Sequence, residues 1–298
     1  MNNDWAELSI NTTTIVSELL SEFLLQEGAK GVVLGEWDPD NISEYTTLKA
    51  YYPEEIPNFK ELLLKINEKL LSYQKSGLIT GAGEISVKLV KEEDWANSWK
   101  KYFHTLRIGK NLVIKPLWEE YQVHGTDIVI NFDPGMAFGT GTHPSTQLCM
   151  EEIEKLAEKI PDKESFTVLD LGTGSGILAI TLNLLGFKKI TAVDIDPVAI
   201  KASKENFKIN NLNINLFQGE LKDCNSTFDF IAGNLLAEII ESIANDLYKK
   251  LNKEGIFLGS GIIKQKEKDV ISSLLASGFI IKDTRYLGDW AMILAKKT

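Results

Sequence analysis

Val168-Leu169-Asp170-Leu171-Gly172-Thr173-Gly174-Ser175-Gly176 is the stretch that decides how this chain folds. An apolar run broken by one carboxylate meets three glycines at alternate positions, and the apolar Ile177-Leu178-Ala179-Ile180 follows. A strand that enters a glycine turn and opens a helix marks a ligand crevice, because glycine lets backbone approach a ligand closely. A dinucleotide fingerprint has the form G-x-G-x-x-G, but here the third glycine comes one place early, at Gly176, and Ile177 takes its position. Asp170 sets a carboxylate beside the turn, where a pyrophosphate would be repelled and a cation attracted. The expected ligand is S-adenosylmethionine, which carries an ammonium and a sulfonium but no phosphate, held by Asp170, Gly172, Gly174 and Gly176.

Downstream, strands alternate with helices: strands at 189–194, 214–218, 228–234 and 255–261, helices at 177–185, 197–210, 236–251 and 264–276. That rhythm predicts a parallel, doubly wound sheet, and the segments 279–284 and 290–295 predict an antiparallel hairpin at its edge. Asp194 ends the second strand, where a ribose diol is held in such folds, although a turn residue reads the same way. Asp196 before Pro197 is a helix cap. Asn234 ends the strand beside the glycine turn and offers both a donor and an acceptor, unless it merely caps the strand. No Pro-Pro-aromatic follows Asn234, and Cys224 follows Asp223 rather than a proline, so a protruding amine suits the site better than a flipped base.

Upstream, the glycine-rich loop 132–146 feeds a helix with the face Cys149, Ile153, Leu156 and Ile160. Phe138 is placed to meet a sulfonium by cation–π attraction. Thr142, Ser145 and Thr146 read as helix-start hydroxyls, and His143 reads as a structural group more readily than as a base without a partner. Residues 94–131 form a connector with Trp95 and Trp99 on one helical face. Residues 1–93 show the order βαββαβ, with a helix at Phe59, Leu62, Leu63, Ile66 and Leu70. This predicts a ferredoxin-like α+β domain.

The 298 residues, 44% hydrophobic and 25% charged with 22 Gly and 8 Pro, exclude fibrous and disordered classes and allow two domains. Cys149 and Cys224 stand apart from any metal-ligand spacing, so neither a zinc site nor a disulfide framework is expected. No run of 18 apolar residues and no basic leader is present, and a cytoplasmic protein with no membrane contact is expected. Residues 1–93 hold 8 Lys, no Arg and 16 acids, so most of the net charge of −10 sits there. That field disfavours nucleic acid and either steers a basic macromolecule or serves solubility.

The stretches Ala137–Pro144, Leu169–Ile180 and Val193–Pro197, with Asp94-Trp95 and Trp99-Lys100, resemble the bacterial ribosomal protein L-eleven (L11) methyltransferase family, PrmA, over essentially the whole chain. The glycine turn is generic to class I methyltransferases, whereas the Phe138–Pro144 loop together with the 94–100 segment is more specific. The resemblance implies a ferredoxin-like domain at 1–93 that docks ribosomal protein L11, a linker at 94–131, and a class I methyltransferase domain at 132–298. It also implies transfer of methyl groups from S-adenosylmethionine to lysine side-chain and N-terminal amines; separately, a monomer is expected. By motif, cofactor contacts carry over to Thr146, Gly172, Gly174, Asp194 and Asn234, and Phe138 to the loop near the sulfonium, which makes Asn234 and Phe138 the candidate catalytic residues. Ser145 and Leu235 are mild departures from the family's more frequent Thr and Ile. A methyltransferase for another amine or a small molecule, and a non-catalytic binding protein, are the rival readings.

Overall fold

The computed structural model describes residues 4–29, 31–34, 45–53, 58–78, 80, 84–91, 103–133 and 141–298. It divides into two compact units, Met1–His104 and Thr105–Thr298.

In the first unit the order is β1 (Asp4–Thr13), α1 (Thr14–Gln26), β2 (Gly31–Leu34), β3 (Tyr45–Pro53), α2 (Phe59–Lys75) and β4 (Ile85–Lys91). The strands lie in the order β2-β3-β1-β4, all antiparallel. Two periodicities build this layer. Ala6, Leu8 and Ile10 alternate along β1, while Leu62, Ile66 and Leu70 recur every four residues along α2, and both sets are buried in one core with Val16, Leu20 and Leu24 of α1. On β1, Glu7 is buried between side chains rather than solvated: it accepts from the Tyr51 hydroxyl at 2.8 Å and pairs with Lys88 at 3.1 Å. Burial opposes its charge, but these partners hold its pKa below the ordinary carboxylate value.

The second unit opens with a three-stranded sheet that the sequence reading missed: β5 (Leu106–Ile108), β6 (Leu112–Pro116) and β7 (Ile128–Phe132). Within the segment predicted as the connector 94–131, the strands β5 and β6 and most of β7 belong to the second unit, and residues 92–102, with Trp95 and Trp99, lie outside the described residues. Strands of three to five residues are too short to show a period in sequence. Tertiary partners fix them instead. Glu154 accepts from the backbone N–H groups of Lys110 at 2.7 Å and Asn111 at 2.8 Å, and Asn210 exchanges two hydrogen bonds with the Asn131 backbone.

There follow α3 (Pro144–Lys159), β8 (Thr167–Leu171), α4 (Ile177–Leu184), β9 (Lys189–Asp194), α5 (Pro197–Ile209), β10 (Asn215–Gln218), β11 (Phe228–Asn234), α6 (Ala237–Lys250), β12 (Leu251–Ile263), α7 (Glu267–Ala276), β13 (Ile280–Leu287) and β14 (Trp290–Lys296). The sheet order is β10-β9-β8-β11-β12-β14-β13. β8 to β12 run parallel, and β14 pairs antiparallel with both β12 and β13, so the predicted hairpin closes one edge. Leu169, Ile231, Phe257 and Ile293 are completely buried in the middle of the sheet, as expected where helices cover both faces. The strand order reverses between β8 and β11, which opens a crevice at their carboxyl ends.

Candidate active site

The glycine turn sits at that reversal. The N–H groups of Gly172 and Thr173 both donate to the Val193 carbonyl, at 2.9 and 3.0 Å, which folds the turn back onto the end of β9. Gly172 has φ +70° and Gly176 has φ +85°; a Cβ there would lie 2.5 Å from Leu235 Cδ2 and 2.6 Å from Phe207 Cε1. Both positions need glycine for their left-handed backbone, and a Cβ at either would force Leu235 or Phe207 to shift.

Asp170 lies beneath the turn, fully buried. Its Oδ2 accepts from Thr173 Oγ1 at 2.6 Å and from the Ala179 N–H at 3.1 Å, while Oδ1 has no hydrogen-bond partner among the described residues. Burial pushes its pKa up to about 7, against the pull of those donors, and the nearby Asp194 charge adds to the rise. The sequence reading treated Asp170 as a fixed anion beside the ligand. The structure makes it a buried group that ties the turn to the start of α4 and titrates near neutrality.

Asp194 is half-buried and uses both oxygens: Oδ2 accepts from the Gly174 N–H at 2.9 Å and Oδ1 from the Asp196 N–H at 3.0 Å. Asp196 caps α5 through the Val198 N–H at 2.8 Å, as expected. Across the crevice, Asn234 Nδ2 donates to Thr146 Oγ1 at 3.1 Å, so these two predicted residues, 88 positions apart, meet. Asn234 Oδ1 is buried with no partner among the described residues.

His143 is the N-cap of α3: its Nδ1 accepts from the Ser145 N–H at 3.2 Å and lies 2.6 Å from Ser145 Oγ, and its ring packs edge-on against Trp290. The cap thus falls to the imidazole, where the sequence suggested the hydroxyls of Thr142, Ser145 and Thr146. Phe138 lies outside the described residues. Among those residues no cluster of His, Cys, Asp or Glu could hold a metal, and no helix is long and apolar enough to cross a membrane.

Two supporting residues escaped the sequence reading. Asn206 donates to the Ser175 carbonyl at 3.0 Å and accepts from the Asp133 N–H at 3.1 Å, linking the glycine turn to the strand before the loop. Ser260, completely buried on β12, accepts from the Leu235 N–H at 2.9 Å through its carbonyl. Asn206 looks like any polar position of an amphipathic helix, and Ser260 like any small strand residue. Neither carries a sequence signal.

The profile of the family described as ribosomal protein L11 methyltransferase (PrmA) matches residues 4–298. The chain belongs to this family. A ribosomal protein L11 methyltransferase from Clostridium perfringens (strain SM101) is 38% identical, with 99% of each chain covered, and that of strain 13 matches equally well. Among solved structures, ribosomal protein L11 methylase from Lactobacillus delbrueckii subsp. bulgaricus superposes with a TM-score of 0.60 at 35% identity, covering 66% of this chain and all of that one. The second unit therefore has the Rossmann-like fold of class I methyltransferases, as its strand order indicates.

Proposed function

We propose that this protein methylates amines of ribosomal protein L11, at lysine side chains and the N-terminus, with S-adenosylmethionine as the methyl donor. Family membership along 4–298 supports the activity, and the observation that carries the chemistry is the buried, unpartnered Oδ1 of Asn234 at the crevice. The cofactor fits the residues present. Asn234 Oδ1, buried without a partner among the described residues, is an acceptor suited to a cationic ligand, and glycine at 172 and 176 gives the turn the left-handed backbone that brings its N–H groups to the crevice. Asp194 holds the ribose diol, Gly172 and Gly174 face the amino-acid portion, Thr146 fixes Asn234, and Phe138 approaches the sulfonium. When bound, the cofactor supplies an electrophilic methyl group.

The chain's own work is to present a nucleophile. A lysine ammonium with a pKa of about 10.4 has no free lone pair, so the crevice must favour the neutral amine by desolvation and by accepting its N–H groups. Asn234 Oδ1 and a backbone carbonyl beside it do this. His143, engaged as a cap, is not the base. Positioning supplies most of the acceleration.

The first unit, with its βαββαβ order and antiparallel β2-β3-β1-β4 sheet, supports the reading of residues 1–93 as a ferredoxin-like domain that docks the substrate protein. Its acidic surface steers a basic partner. The protein acts as a cytoplasmic monomer without binding nucleic acid in its own right. Intact-mass analysis of purified ribosomal protein L11 after incubation with this chain and S-adenosylmethionine tests the proposal. Whole methyl increments are expected, and an unchanged mass contradicts it.

A further inference from the structure

We propose that Gly261 is a positioning residue for the amine, holding open the two oxygens that receive it. This rests on the preceding reading that an amine is delivered to Asn234. From Phe230 opposite Ile256, β12 follows β11 in register as far as Asn234 opposite Ser260, and the Ser260 carbonyl accepts from the Leu235 N–H. On its other side β12 is bulged: Gly259 pairs with Ile293 but Ile262 pairs with Ala291, so one extra residue is accommodated between them. Bulges beside active sites re-aim the backbone. This one sets Gly261 in the left-handed region, at φ +81°, against the end of β11. A Cβ there would lie 2.5 Å from the Leu235 carbonyl oxygen, 3.0 Å from its carbonyl carbon and 3.0 Å from Asn234 Oδ1.

Two oxygens thus border the point a Cβ would occupy, too closely for it to fit, and one of them belongs to the backbone. The amide of Asn234 cannot turn away freely, because Thr146 Oγ1 holds its Nδ2. A side chain at 261 would displace the Leu235 carbonyl or cover both acceptors. In the wild-type chain the two N–H bonds of a neutral amine are received by Asn234 Oδ1 and the Leu235 carbonyl, which aims the nitrogen lone pair. That pair forms the new N–C bond as the S–C bond breaks, its electrons stay on sulfur, and the methylated ammonium releases its proton to water.

The test separates space from conformation. Gly261→Ala adds a Cβ and strains the left-handed backbone, whereas Gly261→Asn adds the same Cβ with a residue that tolerates that region. Gly125→Ala is the control, since Gly125 has φ +55° and nothing within 4 Å of an added Cβ. With full-length protein, ribosomal protein L11 and saturating S-adenosylmethionine, kcat should fall about 100-fold in both Gly261 variants, the cost of roughly an ångström of misplacement. Affinity for S-adenosylhomocysteine should stay within about threefold, and Gly125→Ala should keep the wild-type kcat. Recovery of kcat in Gly261→Asn, or an equal loss of cofactor affinity and kcat, overturns the inference while leaving the proposed function intact. An inactive wild-type chain overturns the proposed function, and the inference with it. If neither variant folds, a structure of the wild type with S-adenosylhomocysteine and a lysine peptide decides. The amine nitrogen should lie within hydrogen-bond reach of both oxygens, and an amine that misses the Leu235 carbonyl contradicts the inference.

Discussion

The two sides of the crevice are finished to different degrees. On the β8–β9 side the acceptors at the rim of the turn are already used: Val193 O takes two N–H groups and Asp194 takes one on each oxygen, while beneath them Asp170 accepts on Oδ2 alone. On the β11–α3 side the Thr146–Asn234 contact is made, but Asn234 Oδ1 is buried with no partner among the described residues. A buried acceptor without a partner costs about 1 to 3 kcal/mol. Such a cost persists where a ligand repays it, so the first side is a preformed cradle and the second is a site awaiting a donor.

The largest effect expected from breaking this division is at Asn234. Asn234→Ala removes the amide oxygen, and turnover on ribosomal protein L11 should drop at least about 100-fold in a methyl-transfer assay, the scale of losing one fixed polar group at a reacting centre. Next comes Asp194→Ala, which also frees the Gly174 N–H. Hydrogen bonds to charged groups are worth about 1.5 to 3 kcal/mol, so calorimetry should show cofactor affinity at least about tenfold weaker.

Asp170 sharpens the comparison through pH. Its pKa rises on folding from an ordinary value near 3.9 to about 7, because burial disfavours the anion. Between these values the folded protein binds more protons than the unfolded chain, so this group's contribution to stability declines as pH rises from about 4 to 7 and is flat above. Asp170→Asn keeps an acceptor for Thr173 and Ala179 and removes that slope. Its unfolding free energy should gain on that of the wild type progressively from pH 4 to pH 7, by an amount on the order of a few kcal/mol at most, and the difference should stay level above pH 7. Parallel pH curves for the two proteins would contradict the assignment. The smallest effect is at His143: His143→Ala loses a helix cap worth about 1 kcal/mol, visible in denaturant unfolding, and keeps most of its turnover.

The same contrast governs what could be read from the sequence. The cradle was legible because local rules impose it. Gly172, Gly174 and Gly176 serve a turn, Asp196 before Pro197 marks a cap, and β9 and β11 end at the predicted residues, Asp194 and Asn234. Asp170 was found, but its protonation was not, since burial is a property of the assembled core. The β5–β7 sheet was missed because strands this short gain their stability from Glu154 and Asn210, 43 and 79 residues away. Asn206 and Ser260 were missed for the same reason. Their contacts exist only after the chain has closed, and His143 took a capping role that a list of favoured cap residues does not include.

The division of labour is tested most directly by measuring turnover of Asp194→Ala and Asn234→Ala on ribosomal protein L11 as S-adenosylmethionine is raised to saturation. If the β8–β9 side holds the cofactor and the β11 side presents the amine, the Asp194 variant recovers most of the wild-type kcat at high cofactor and the Asn234 variant does not. Recovery of both variants, or of the Asn234 variant alone, would contradict the account.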